Sequence, residues 1–236
     1  MQIIGIQTTT LVDYPETVAC IVFTAGCNFR CPFCYNPQAV LPELIAKYQS
    51  QQIPETAFFN FLESRKGFLE GVSICGGEPT LQSDLYQFAQ HIKQRGFKVK
   101  LDTNGREASL IKKMVNDGIL DYVAVDMKAP FEKYDQCSGI PTTSIFKENF
   151  NELLAFLLTN QVDYEYRSTL IKGYHTADDI ENMAKQLYGI KQYYLQNYLK
   201  QTPLDPHFKG ESFFPEELQS FQEIASLFVE DCKIRG

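Results

Sequence analysis

Three thiols, Cys27, Cys31 and Cys34, fall within eight positions in the stretch "TAGCNFRCPFCYNP", residues 24–37. Thiolates are soft donors suited to zinc, copper(I) or an iron–sulfur cluster. Inert burial fits Cys20, Cys75, Cys137 and Cys232, which stand singly, but it fits poorly three cysteines in a loop carrying Gly, Asn and Pro rather than an apolar stripe. Cys31 and Cys34 also have the C-x-x-C spacing of a redox pair. That motif normally opens a helix whose N-terminus lowers the thiol pKa, whereas here Pro37 opposes immediate helix continuation and Cys27 is left idle. Structural zinc takes four closed ligands, and no second C-x-x-C pair supplies a fourth; His91, His175 and His207 are widely separated. A four-iron cluster is usually held by four thiolates, so three leave one Lewis-acidic iron open to an outside ligand.

The elements that must carry this loop follow one another regularly. "TVACIVFT" (17–24) is β-branched and apolar, as in a buried strand, and runs straight into the cysteines. Further strands are expected at 71–75, 97–102, 121–126, 162–170 and 191–196. Helices are expected over about 54–66, from about 81 to Gly96, and near 107–117, 146–159, 177–188 and 215–230. Six strand–helix units joined by short loops imply an α/β protein, a partial (β/α)6 TIM-like barrel of parallel strands and outer helices, in a single domain over 1–236. In such a fold the site lies at the carboxyl ends of the strands. Those ends carry the three cysteines, then Gly76, Gly77, Glu78 and Pro79, then Asp102, Thr103 and Asn104, then Asp126 and Lys128, with Arg167 on the fifth strand and Gln196 and Asn197 on the sixth.

Composition removes several function classes. A net charge of −7 without a dense Lys/Arg cluster argues against nucleic acid as a partner. No apolar stretch approaches the length of a membrane helix, and "MQIIGIQTTT" has none of the parts of a secretory signal. An odd number of cysteines, seven, is no disulfide framework, and a cytoplasmic location is expected.

The spacing C-x3-C-x2-C with Phe33 before the last cysteine resembles the signature of the radical S-adenosylmethionine (SAM) enzymes. That resemblance implies a 4Fe–4S cluster on Cys27, Cys31 and Cys34, with the methionine amino and carboxylate groups of SAM chelating the free iron. One electron would then release a 5′-deoxyadenosyl radical. "GGEP" (76–79) matches the family's motif after the second strand, where Glu78 can accept from the methionine ammonium; Gly-Gly followed by Pro79 and Thr80 also reads as a plain turn and helix start. "LDTNG" (101–105) and "VDMKAP" (125–130) are similar to motifs of the glycyl-radical activating branch, which associates the acidic residues and the Thr with the SAM pocket and a monovalent cation and turns the Lys toward the cofactor. Asp102 and Asp126 would repel unless a cation or Lys128 sits between them, and Asp102, Thr103 and Asn104 are also good helix caps. Arg167 reads either as a bidentate partner of the methionine carboxylate or as one half of an internal ion pair.

The N-terminal run "TTTLVDYPETVACIVFTAGCNFRCPFCYNP" resembles activating proteins of the anaerobic ribonucleoside-triphosphate reductase, strongly to about residue 130 and weakly beyond. This implies a glycyl-radical protein as substrate and a flavodoxin or ferredoxin as electron donor. Two departures stand out: Tyr35 where relatives commonly have His, and "LQNYLK" at the sixth strand without the histidine of some activases. Two long irregular stretches, 127–144 and 199–214, are expected to be functional or mobile; Phe208, Phe213 and Phe214 in the second are a candidate docking surface for the reductase. Other readings are action on another glycyl-radical enzyme, action on a small molecule as in 7-carboxy-7-deazaguanine synthases, and an iron–sulfur electron carrier without catalysis.

Overall fold

A computed structural model describes residues 1–235. Its strands are β1 (Ile3–Thr10), β2 (Ala19–Thr24), β3 (Gly71–Gly76), β4 (Lys98–Thr103), β5 (Tyr122–Asp126), β6 (Asp163–Leu170), β7 (Gln192–Asn197) and β8 (Asp231–Arg235). They form one sheet in chain order, parallel from β2 to β8, with β1 antiparallel to β2 and with β1 and β8 as its two edges. The six expected strands are all present and parallel; β1 and β8 were not expected. Both are edge strands with exposed positions, so neither reads as a buried apolar run.

The helices are α1 (Pro37–Val40), α2 (Pro42–Lys47), α3 (Glu55–Ser64), α4 (Leu85–Gln94), α5 (Ala108–Asn116), α6 (Tyr134–Ser138), α7 (Ser144–Leu157), α8 (Ala177–Gln186) and α9 (Pro215–Ala225). The six longer ones each bury one face, as Leu85, Phe88, Ala89 and Ile92 do in α4. Thr143 caps α7 by accepting the Phe146 N–H, and Thr176 with Asp179 forms a capping box on α8. α9 stops at Ala225, short of the expected 230, because the chain must turn there to deliver β8. The cysteine loop stays irregular through Asn36. Pro37 then takes the first position of α1, where its missing N–H costs nothing.

Strand alternation separates two environments. Val99 and Leu101 on β4, and Tyr164 and Tyr166 on β6, join the apolar cluster packed under the helices. The intervening positions, Lys100 and Asp102 on β4 and Glu165 and Arg167 on β6, point to the opposite face, inside the curved sheet. The barrel interior is therefore charged where a closed barrel of this kind is usually packed with branched apolar side chains.

Candidate active site

The carboxyl ends of β2 to β6 surround a cavity of about 270 Å³. Its walls include Cys27, Cys31, Phe33, Cys34, Gly76, Gly77, Glu78, Asp102, Thr103, Asn104, Asp126, Lys128 and Arg167. Of the strand-end residues singled out in the sequence, Pro79, Gln196 and Asn197 lie outside it; Pro79 begins a short 3-10 turn, Pro79–Leu81. Cys75, expected to be a buried inert cysteine, is half-buried and lines the cavity as well.

Backbone contacts hold the cysteine loop against the turn after β3. The Gly77 N–H donates to the Thr24 carbonyl (2.9 Å) and the Glu78 N–H to the Gly26 carbonyl (2.7 Å). A Cβ on Gly77 would lie 2.0 Å from the Gly26 oxygen, so only glycine allows the two backbones to meet. Two other segments strap the loop from outside. Arg30 N–H donates to Ser138 at the end of α6 (2.7 Å), Asp205 N–H donates to Pro32 (3.0 Å), and the Leu199 N–H donates to the Tyr35 hydroxyl (2.8 Å). Phe33 packs on Phe208 with ring centroids 6.0 Å apart, and Tyr35 stacks on Tyr198 at 5.7 Å.

All three cysteines are free thiols. Burial pushes Cys27 up to about 11, against the pull of the Phe29 N–H on its sulfur, and Cys31 up to about 12, against the positive charge of Lys128. Cys27 and Cys31 therefore give up their protons only to a metal that displaces them. Among the described residues no three Cys, His, Asp or Glu side chains converge as ligands of one ion would. Three thiols spread around one cavity instead suit a cluster, in which each sulfur serves a different iron.

Glu78 is almost fully buried. Its Oε1 accepts from the Thr80 N–H (3.3 Å) and from the hydroxyls of Thr80 (2.5 Å) and Thr103 (2.8 Å), and its Oε2 accepts the Asn104 N–H (2.7 Å). Burial raises its pKa, and these hydrogen bonds oppose the rise. Glu78 thus ties the turn after β3 to the end of β4 and caps the Pro79–Leu81 turn. Asp102, Thr103 and Asn104 do not cap α5, whose first turn receives no side-chain cap.

Asp102 and Asp126 are joined by Arg167. Its Nη1 donates to Asp102 Oδ2 (3.0 Å) and its Nε to Asp126 Oδ1 (3.1 Å). Lys100 takes Asp102 Oδ1, and Lys128 takes Asp126 Oδ2 (2.9 Å). The expected repulsion is removed by the guanidinium, and Lys128 flanks the pair instead of standing between the carboxylates. Burial would raise Asp126, but Lys128 and Arg167 outweigh it and bring it to about 2. Arg167 thus makes the internal ion pair that was one of its two readings.

Sequence reasoning missed three residues that brace the site. His175 Nδ1 accepts the Ile171 N–H (3.0 Å) and its Nε2 bonds the Lys128 carbonyl (2.9 Å), fixing the chain just beyond β5. Asn28 accepts from the Asn104 amide (2.7 Å), and Tyr35 anchors the far strap. Each acts through a partner remote in sequence, so local spacing carries no signal. The docking expectation needs correction: Phe213 is buried, Phe208 packs against Phe33, Tyr174 and Tyr198, and only Phe214 is well exposed. Asn197 exchanges two hydrogen bonds with the Phe213 backbone (2.9 and 3.0 Å) and does not line the cavity.

Residues 21–187 match the family model of the radical SAM superfamily. The chain belongs to that superfamily. Its cofactors are accordingly a 4Fe–4S cluster and SAM, and it is an enzyme. A protein of Methanocaldococcus jannaschii, provisionally named as a glycyl-radical enzyme activating enzyme, is 30% identical over 236 residues, covering 98% of this chain and 94% of its own. The pyruvate formate-lyase-activating enzyme of Listeria monocytogenes is 30% identical over 132 residues, 52% of each chain. Among solved structures, a radical SAM methyltransferase from Sphaerobacter thermophilus superposes with a TM-score of 0.73 at 16% identity, covering 97% of this chain and 70% of that one, which shows the shared fold. No described helix is long and apolar enough to cross a membrane.

Proposed function

We propose that this radical SAM enzyme is an activase that installs a glycyl radical on a protein partner, the anaerobic ribonucleoside-triphosphate reductase. The carrying observation is that three free thiols, the glycine turn after β3 and the Asp102–Arg167–Asp126 group face one cavity on a sheet that is not closed. Similarity to the M. jannaschii protein along nearly the whole chain supports the choice of activase. When bound, cluster and SAM supply one-electron reductive cleavage of the sulfonium's sulfur–carbon bond.

In this reading Cys27, Cys31 and Cys34 would hold the cluster and, with no fourth thiolate, would leave it able to take SAM. Gly76 and Gly77 let the backbone approach the methionine end. Glu78 retains an acceptor site on Oε2 for its ammonium. Phe33, Thr103, Asn104, Asp126 and Lys128 line the same cavity as the three thiols. Hydrogen abstraction by a carbon radical needs no acid–base pair, so the enzyme's task is to admit a glycine and exclude water. A sheet with two free edges leaves room for a polypeptide segment. The whole chain, 1–236, acts as one domain in the cytoplasm with a flavodoxin or ferredoxin as reductant.

The test is anaerobic reconstitution, reduction, and incubation with SAM and purified reductase, read by electron paramagnetic resonance and by 5′-deoxyadenosine release. The expected result is a glycyl radical on the reductase and release that rises when it is added. Release without a radical on the reductase, but with turnover of a small purine-like substrate or a radical on another glycyl-radical enzyme, overturns the assignment. No release at all points to an electron carrier.

A further inference from the structure

The interior charges at the carboxyl end form a closed set. All four carboxylate oxygens of Asp102 and Asp126 are taken by side-chain cations: Lys100 on Asp102 Oδ1, Arg167 on Asp102 Oδ2 (3.0 Å) and on Asp126 Oδ1 (3.1 Å), and Lys128 on Asp126 Oδ2 (2.9 Å). Lys100 is wholly buried and the Arg167 side chain is 13% exposed. Behind them Glu165 holds the guanidinium from below at 3.8 Å while receiving two hydrogen bonds from Arg235 (3.0 and 3.1 Å). A monovalent metal ion between Asp102 and Asp126 would have to share carboxylate oxygens that each already face a side-chain cation, at a position that the guanidinium fills. The donor set does not fit a free ion.

We infer that Arg167 is a built-in counterion that replaces a free monovalent cation in the SAM pocket, making it a positioning residue for Asp102, Asp126 and, through Asp126, Lys128. Guanidinium suits the place: it stays charged at every working pH, and its planar fork spans two carboxylates that a spherical ion would have to draw inward. Removing it leaves two like charges facing each other in a poorly solvated interior, which an added cation can then relieve. The inference rests on the family's use of SAM and not on the identity of the protein partner, since SAM binding and cleavage are read with no partner present.

The experiment uses the full-length reconstituted protein in tetramethylammonium buffer, free of sodium and potassium. SAM affinity by equilibrium dialysis and 5′-deoxyadenosine release are measured while potassium, sodium or guanidinium chloride is titrated in at constant ionic strength. For the native chain both quantities should change by less than about twofold. Arg167→Gln should bind SAM about tenfold or more weakly and recover most of the loss with potassium, sodium or guanidinium. Arg167→Lys should need less added cation than Arg167→Gln, and Lys112→Gln, which breaks a surface pair with Glu152, should behave as native. A native chain whose SAM affinity rises severalfold with potassium or sodium, or an Arg167→Gln protein that binds SAM as the native one does, overturns the inference. Should Arg167→Gln fail to fold, the native titration and Arg167→Lys still decide it.

Discussion

The two ends of the sheet carry cavities that invert the usual guide of size. At the amino ends of the parallel strands a cavity of about 680 Å³ is bounded by Tyr14, Asp121, Tyr122, Lys191 and Gln192. At the carboxyl ends the cavity is about 270 Å³. In the larger one the polar groups hold elements together: Asp121 receives Lys93 (2.6 Å) and the Val99 N–H (2.7 Å), and the Tyr122 hydroxyl donates to Glu165 (3.0 Å). In the smaller one three thiols and a charged set face the same space. The donors, and not the volume, mark where chemistry occurs.

The sharpest way to break this contrast is to move thiols. Cys27→Ala, Cys31→Ala or Cys34→Ala should each cost more than about a hundredfold in 5′-deoxyadenosine release, since even groups that merely orient metal ligands cost ten- to a hundredfold. Cys20→Ser and Cys232→Ser, on strand positions near the amino end, should load iron and cleave SAM as the native chain does. Loss of the cluster in either would place it at the wrong end.

Gly77→Ala comes next. With its new Cβ 2.0 Å from the Gly26 carbonyl, the two loops must separate, at a cost of roughly 1–3 kcal/mol. Iron content after reconstitution and the urea midpoint should both fall; a native midpoint would show that the approach does not matter. A smaller effect is expected in acid. Asp126 has its pKa lowered from 3.8 to about 2, so its stabilising contribution is complete above the unfolded value and drains away as pH falls toward 2. Urea midpoints measured across that window should fall less steeply in Asp126→Asn than in the native chain. Smallest of all is Tyr122→Phe at the amino end, which should cost about 1 kcal/mol by urea titration while leaving SAM cleavage within about twofold. A large loss of cleavage there would erase the distinction between the ends.

Much of the carboxyl end was legible because its chemistry is local. The cysteine triplet, "GGEP" and "LDTNG" each announce themselves within a few residues, and strand alternation brings them to one rim. What escaped depends on distant partners. Arg167 could be placed on its strand, but its partners at 102 and 126 became visible only with strand register. Phe208 and Phe213 look like surface aromatics in a polar loop until Phe208 is seen folded back on Phe33 of the cysteine loop and Phe213 packed on Phe221 of α9. β1 and β8 escaped for a different reason: an edge strand buries too little to carry a strong apolar pattern.

The strap running from Leu199 to Asp205 onto the cysteine loop also orders events in time. The thiols leave the ribosome about 165 residues before the first residue of their clasp, so until Leu199 and Asp205 fold back the loop lacks these two hydrogen bonds.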